Sequence, residues 1–224
     1  MQRFTVIGLG RFGSRLASNL ASGGQEVIGI DRDPRVIEEM RDRVTLAIAM
    51  DATDEQALRM QGIDRVDVAL VTIGRDFEAI ALATVVLKQL GINRVISRAI
   101  SPTSAKILAS IGADEVVNPE DETADRWSTR LISPQFIRQF ELDEGHSIVE
   151  IKTPRRWVDQ TLAKLNLRAK ENLNVVAIKR QRAAQEKGRP TMFQVPGPDD
   201  PLLAEDVLVV MGRDADLARL PRET

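Results

Sequence analysis

Residues 3–33 read RFTVIGLGRFGSRLASNLASGGQEVIGIDRD. Phe4 to Ile7 is a short apolar run that predicts a buried strand, and Gly8-x-Gly10-x-x-Gly13 follows it as a glycine turn. A helix is expected from about Arg11, a stop at Gly23-Gly24, and a second buried strand ending on Asp31. In this order each glycine has its own role. Gly8 makes the tight turn, Gly10 lets backbone amides approach a phosphate, and Gly13 lets the helix lie close on the strand. The amides that open the helix lack intrahelical partners, and with the helix dipole they favour an anion. Asp31 ends the second strand, where a carboxylate accepts hydrogen bonds from both ribose hydroxyls and repels a 2′-phosphate. Close packing alone is the rival explanation of the three glycines; the flanking strands and Asp31 weigh against it.

Outward from this unit the pattern repeats. Asp33 caps and Pro34 opens a second helix whose inner face is Val36, Ile37 and Met40. Thr45 to Met50 is a third strand. Its polar tip, Asp51-Ala52-Thr53-Asp54, is expected beside the nucleotide crevice, with Thr53 or Asp54 capping a helix through Met60. Val66 to Ile73 is apolar almost throughout, as a central parallel strand should be, and Gly74 ends it. The helix from about Asp76 to Leu90 is more apolar than one buried face requires, so part of it is expected to meet another subunit, with simple burial under the sheet as the alternative. Arg94 to Ile100 is a fifth strand, with Arg98 near its end in reach of a phosphate; Ser101-Pro102 starts a helix through Ile111, and Asp114 to Pro119 is a sixth strand. Six strands alternating with five helices predict a doubly wound parallel α/β sheet of the Rossmann type, in the order 3-2-1-4-5-6.

The stretch from Glu120 to Phe140 has helical spacing. Ala124, Trp127 and Leu131 fall on one face; after a break at Ser133-Pro134 a second helical turn is expected with Phe136, Ile137 and Phe140. An exposed Trp127 would suit an interface anchor. From about Glu141 a smaller α+β lobe is expected. Its strands are 147–151, 175–179, 192–195 and 205–211, its helices 162–173 and 214–220, and a polar loop covers 183–190. The expected division is 1–120, a linker of helices over 121–140, and 141–224. The last part is small for an independent core, which suggests pairing with a copy of itself.

Composition narrows the chemistry. The chain has 224 residues, 43% hydrophobic and 29% charged, which is a globular balance, and a net charge of −2 with no basic block argues against a nucleic-acid partner. Without cysteine there are no disulfides, thiol catalysis or cysteine-ligated zinc; without tyrosine there is no tyrosine-lysine hydride site. The single histidine, His146, is the only histidine base available. No GxxxxGK[ST] phosphate loop occurs. The longest apolar run, Ala79 to Leu87, is short of the roughly 20 residues that cross a bilayer, and no charged leader precedes an apolar stretch.

VIGLGRFG (6–13), AIALATVVLKQLGINRV (79–95), IGADEVVNPE (111–120), LNLRAKENLNVVAI (165–178) and AEDVLVVMG (204–212) together resemble the RCK proteins, the cytosolic regulatory subunits of Ktr/Trk-type potassium-uptake systems. The resemblance implies a TrkA-N (RCK-N) lobe that binds ATP or ADP, or NAD or NADH, and a TrkA-C (RCK-C) lobe. It implies a homo-oligomer, a dimer assembled as an octameric ring of dimers. The ring would lie peripherally on the inner face of the plasma membrane under a membrane-embedded potassium-translocating subunit, which nucleotide exchange gates without enzymatic turnover. Carried over by position, Gly8, Gly10 and Gly13 match the phosphate turn, Asp31 the ribose carboxylate, and Asp51 and Thr53 positions near the adenine. Arg11 matches an arginine that touches the terminal phosphate across the dimer. Glu120 matches a carboxylate that helps hold a cation, magnesium, calcium or sodium, between facing triphosphates; an acid that only complements a helix N-terminus is the rival. Phe12, Arg32, Ala52, Ile73, Gly74 and Arg98 complete the expected nucleotide-binding set. Some relatives bind cyclic di-adenosine monophosphate (cyclic di-AMP) between paired TrkA-C lobes. Leu162, Ala163, Asn166, Arg168 and Ala169 lie on the matching segment, with Lys164 where an acid is common. The rival function is a nicotinamide-dependent oxidoreductase or an NAD(H) redox sensor, with His146 beside Asp143 and Glu144 as its base.

Overall fold

The first apolar runs do become strands. The computed structural model describes residues 1–180 and 192–220. In it β1 (Arg3–Ile7), α1 (Arg11–Ser22) and β2 (Glu26–Asp31) form the first βαβ unit. α2 (Pro34–Met40), β3 (Leu46–Ala49), α3 (Glu55–Met60), β4 (Val68–Val71), α4 (Phe77–Gln89), β5 (Arg94–Arg98), α5 (Pro102–Ser110) and β6 (Glu115–Val117) follow. The six strands form a parallel sheet in the order β3-β2-β1-β4-β5-β6, as expected. All four residues of β4 are buried, which is why its sequence shows no alternation. Side-chain oxygens of Asp33, Asp54 and Asp76 each accept an amide of the helix that follows, so Asp54 rather than Thr53 caps α3. Ser101 and Ser104 form a reciprocal capping box at the start of α5. On α4, Ala79, Ile80, Ala83, Thr84 and Leu87 are buried while Leu82 is left 47% exposed.

The chain divides into two compact units, Met1–Glu122 and Thr123–Thr224, the boundary falling inside α6 (Pro119–Ile132). The second unit holds an antiparallel sheet of β7 (Phe136–Asp143), β8 (His146–Lys152), β9 (Asn174–Arg180), β10 (Met192–Gln194) and β11 (Val207–Arg213), in the order β10-β9-β11-β8-β7. Its core gathers Phe136, Val149, Ile151, Trp157, Ile178, Leu208 and Val210. Among the described residues no helix is long and apolar enough to cross a membrane.

Three expectations are corrected here. Phe136 to Phe140 is not a helical turn but the start of β7: Gly145, at φ 93°, turns the chain so that β7 can pair with β8, and Phe136 then packs in the core. The segment 162–173 is not one helix but two, α7 (Leu162–Leu165) and α8 (Leu167–Glu171), separated by Asn166 at φ 48°. Leu165 and Leu167 are both buried, and two residues apart on a continuous helix they would point to nearly opposite sides. The left-handed break lets both reach the core. The final helix, α9 (Asp214–Leu217), ends earlier than expected, although Leu220 beyond it is still buried. The expected polar loop at 183–190 lies outside the described residues.

Candidate nucleotide site

The turn after β1 is held by contacts only glycine permits at two of its three positions. Gly8 has φ 91°, and its amide donates to the Ile30 carbonyl at 2.8 Å. A Cβ there would lie 2.7 Å from the Ile73 nitrogen. At Gly13 a Cβ would lie 2.0 Å from the Gly8 oxygen and 2.5 Å from Thr72 Oγ1, so this residue sets how closely α1 approaches β1. Gly10 differs: nothing lies within 4 Å of its Cβ position, and as the N-cap of α1 it supplies no side-chain bond to the helix amides. Those amides are left without a side-chain cap at a positive helix end, the arrangement that receives an anion.

Asp31 stands at the end of the adjacent strand. Its Oδ2 accepts the Leu9 amide at 2.7 Å and its Oδ1 accepts the Asp33 amide at 2.9 Å. The two bonds fix the carboxylate and leave lone pairs on both oxygens for a diol. Beside it a crevice of about 300 Å³ opens above the strand ends. Of the expected residues it is lined by Gly8, Gly10, Asp31, Arg32, Asp51, Ala52, Thr53, Ile73 and Gly74. Arg32 Nη2 lies 2.9 Å from both oxygens of Asp51. Asp51 Oδ1 also accepts the Thr53 amide at 2.9 Å and the Thr53 hydroxyl at 2.7 Å. The Thr53 amide, then its hydroxyl and the Arg32 guanidinium, hold the Asp51 carboxyl down at about 2. The end lined by acids suits sugar and base; the end of bare amides suits phosphate.

Other expected residues stand outside the lining. Gly13 is buried in the packing of α1, and Arg11 is exposed at its start. Phe12 lines a separate apolar trough with Leu16, Leu70, Ile96 and Val117. Arg98 and Glu120 pair with one another, the arginine largely buried and the glutamate exposed. Among the described residues, no cluster of three or more histidine, cysteine or acidic side chains is placed to hold a metal. In the second unit, Ala163, Asn166, Arg168 and Ala169 are exposed and Leu162 is half-buried. His146 Nδ1 lies 2.9 Å from Asp143 Oδ1 near the β7–β8 turn.

Sequence reasoning missed Thr72 and Asp76. Thr72 lines the crevice and donates its hydroxyl to the Gly8 carbonyl at 2.6 Å, tying β4 to the turn; a lone hydroxyl closing an apolar strand was the available signal. Asp76 caps α4 from inside the crevice wall.

Similarity to known proteins agrees with this geometry. Residues 4–119 match the TrkA-N domain and residues 146–223 the TrkA-C domain. The Ktr system potassium uptake protein C of Bacillus subtilis (strain 168) is 35% identical over 221 residues, covering 99% of this chain and 96% of that protein. Among solved structures, the GsuK channel bound to NAD superposes with a TM-score of 0.55 at 26% identity, over 97% of this chain and 37% of that one. GsuK bound to ADP superposes with a TM-score of 0.50 at 30% identity, over 58% of this chain and 34% of that one. The chain thus spans well under half of those channel chains. With a nucleotide-type turn and acid on the first unit, both domains matched in order and a relative aligned along nearly its whole length, the chain belongs to the TrkA-N/TrkA-C family, a Rossmann RCK lobe followed by a smaller antiparallel lobe.

Proposed function

We propose that the chain is the regulatory subunit of a Ktr-type potassium-uptake system, and that it reports the state of the adenine-nucleotide pool to a membrane-embedded potassium-translocating partner. The observation that carries this reading is the pairing of an uncapped glycine turn with a fixed Asp31 carboxylate at one crevice. The similarity to a Ktr potassium uptake protein supports a potassium-translocating partner, and the NAD- and ADP-bound channel relatives support a nucleotide as ligand. Each carboxylate that lines the crevice is already committed to backbone amides: Asp31 to Leu9 and Asp33, Asp51 to Thr53, Asp76 to Ala79. Carboxylates fixed in this way are suited to holding a ligand, which supports a binding role.

The output is therefore mechanical. ATP and ADP must bind two shapes of the assembly with different affinity, since a ligand that favours neither shifts nothing. A homo-oligomer, up to a ring of dimers on the cytoplasmic face of the membrane, is the assembly proposed. It is supported by α6, where no residue is buried and Trp127, Leu131 and Ile132 are 50, 72 and 70% exposed. On the same reading a divalent ion or sodium joins ATP near Glu120, and the exposed face around Asn166 and Arg168 is where cyclic di-AMP would be sought.

The test is calorimetry of the purified chain with ATP, ADP, NADH and cyclic di-AMP, each with and without magnesium, repeated on Asp31→Ala. Adenine-nucleotide binding that the substitution abolishes is expected, followed by ATP- and ADP-dependent potassium flux when the chain is reconstituted with its membrane partner. Undiminished affinity in Asp31→Ala, or oxidation of NADH in place of ATP and ADP binding, would overturn the reading.

A further inference from the structure

The sequence carries two opposed signals side by side. Asp31 at the end of β2 is the residue that takes ribose hydroxyls and repels a 2′-phosphate, while an arginine close to that position is what accommodates a 2′-phosphate where one is bound. Arg32 follows Asp31 directly and is the single cationic side chain among the described residues that line the crevice. Nothing local decides which signal wins.

The structure assigns that decision to Asp51: we infer that the Arg32–Asp51 pair sets the crevice's selectivity against 2′-phosphorylated nucleotides, by occupying the arginine that would otherwise receive the phosphate. The inference rests on the nucleotide reading above. Arg32 and Asp51 lie 19 residues apart and are brought together by the pairing of β2 with β3, where Asp31 is opposite Ala49. Arg32 Nη2 reaches both Asp51 oxygens at 2.9 Å. Asp51 is not free to follow a departing partner, because the Thr53 amide and hydroxyl hold its Oδ1 at 2.9 and 2.7 Å. The arginine's counter-ion is thus built into the wall. A 2′-phosphate would have to break this pair and bring its own charge next to Asp31 and Asp51, with Asp76 on the same lining. Asp31 and Asp76 add to the field that keeps Arg32 charged, but the carboxylate that hydrogen-bonds its guanidinium is that of Asp51, so Asp51 is the partner whose removal releases the fork.

The experiment compares ligands that differ only by the 2′-phosphate: NAD with NADP, and AMP with adenosine 2′,5′-bisphosphate, titrated calorimetrically into wild type, Asp51→Asn and Asp51→Asn/Arg32→Ala. Asparagine keeps an oxygen for the Thr53 amide and removes the charge; Asp51→Ser is carried in parallel so that a folding defect in one variant does not decide the result. The wild type is expected to prefer the ligand without the 2′-phosphate. Freeing Arg32 should lower that preference about tenfold or more, the scale of one charge-assisted bond, and the second substitution should restore it. A preference unchanged in both single variants overturns the inference alone, as does a loss that persists once Arg32 is also removed. Failure of the wild type to bind any of the four ligands overturns this inference, and if ATP and ADP also fail to bind, the nucleotide reading goes with it.

Discussion

Replacing Gly13 by alanine and, separately, Gly10 by alanine adds the same methyl group at two places in one turn, with opposite consequences. At Gly13 the new carbon would stand 2.0 Å from the Gly8 carbonyl oxygen and 2.5 Å from Thr72 Oγ1. Neither can step aside cheaply. The Gly8 amide is bonded to Ile30, its carbonyl accepts the Thr72 hydroxyl, and its φ of 91° already belongs to a sharp turn. The helix must lift from β1. Overpacking of this kind costs about 1–3 kcal/mol, and the upper end applies where the opposing atom is backbone. For a chain of this size about 3 kcal/mol lowers the melting temperature by roughly 6–12 °C. At Gly10, φ −66° and ψ −170° suit any residue and nothing lies within 4 Å, so stability should change by only about 0.5 kcal/mol. The methyl instead intrudes where a phosphate would meet the amides opening α1. Losing one hydrogen bond to a charged group, about 1.5–3 kcal/mol, raises Kd roughly 10- to 150-fold. Thermal unfolding and ADP calorimetry on both variants read the two effects. A Gly13→Ala protein that melts like wild type, or a Gly10→Ala protein that binds ADP like wild type, would refute the assignment.

Three further outcomes are expected. Asp206 is fully buried and meets the Arg180 guanidinium through two bonds of 2.8 Å, so Arg180→Met should leave a buried charge unpaired and cost the second unit about 3–5 kcal/mol in urea denaturation; a loss under about 1 kcal/mol would mean that the pair is not closed in solution. Burial works to raise the Asp206 pKa, but Arg180 and the Leu203 amide outweigh it, and Asp51 is likewise held low, so both carboxylates stabilise the fold fully above the ordinary value of 3.8. Stability followed by urea denaturation should thus lose these contributions only as pH falls below about 4 and, for Asp51, through about 2; a loss already complete at pH 5 would show that other groups control the transition. Trp127→Ala together with Leu131→Ala should shift sedimentation towards a smaller species without lowering the melting temperature, because neither side chain is buried within the chain; a drop in melting temperature of the dilute protein would place them in its core instead.

Much of this was legible from local chemistry. Strands buried on both faces, such as Val68–Val71, have no polar position to confuse their reading. The cap at Asp33 and the helix starts at Asp76 and Ser101-Pro102 lie next to the helices they begin. The errors fall where long-range pairing outweighs spacing. Phe136, Ile137 and Phe140 fit a helical stripe, and only a partner strand beyond Gly145 makes them extended. The break at Asn166 is invisible until Leu165 and Leu167 must share one core. The Arg32–Asp51 pair in the crevice wall and the Arg98–Glu120 pair outside it join residues 19 and 22 positions apart, each brought near by neighbouring strands rather than by sequence.

On the proposed function, the size of the crevice bears on how ATP and ADP would be distinguished. At about 300 Å³ it stands at the lower limit of pockets that enclose a ligand. That is room for a nucleoside and the first phosphate against α1, the part that ATP, ADP and NAD share. On that reading ATP and ADP would be told apart beyond the lining, and the charged side chains expected there, Arg11, Arg98 and Glu120, are the ones that do not reach it. Arg98 is already neutralised by Glu120, while Arg11 is exposed at the helix start. A substitution at Arg11 or Glu120 should accordingly change the ratio of ATP to ADP affinity and leave AMP affinity within about twofold of wild type, a difference of roughly 0.4 kcal/mol. Equal losses for all three nucleotides would instead make these residues part of the shared site and remove the physical basis for a two-shape response.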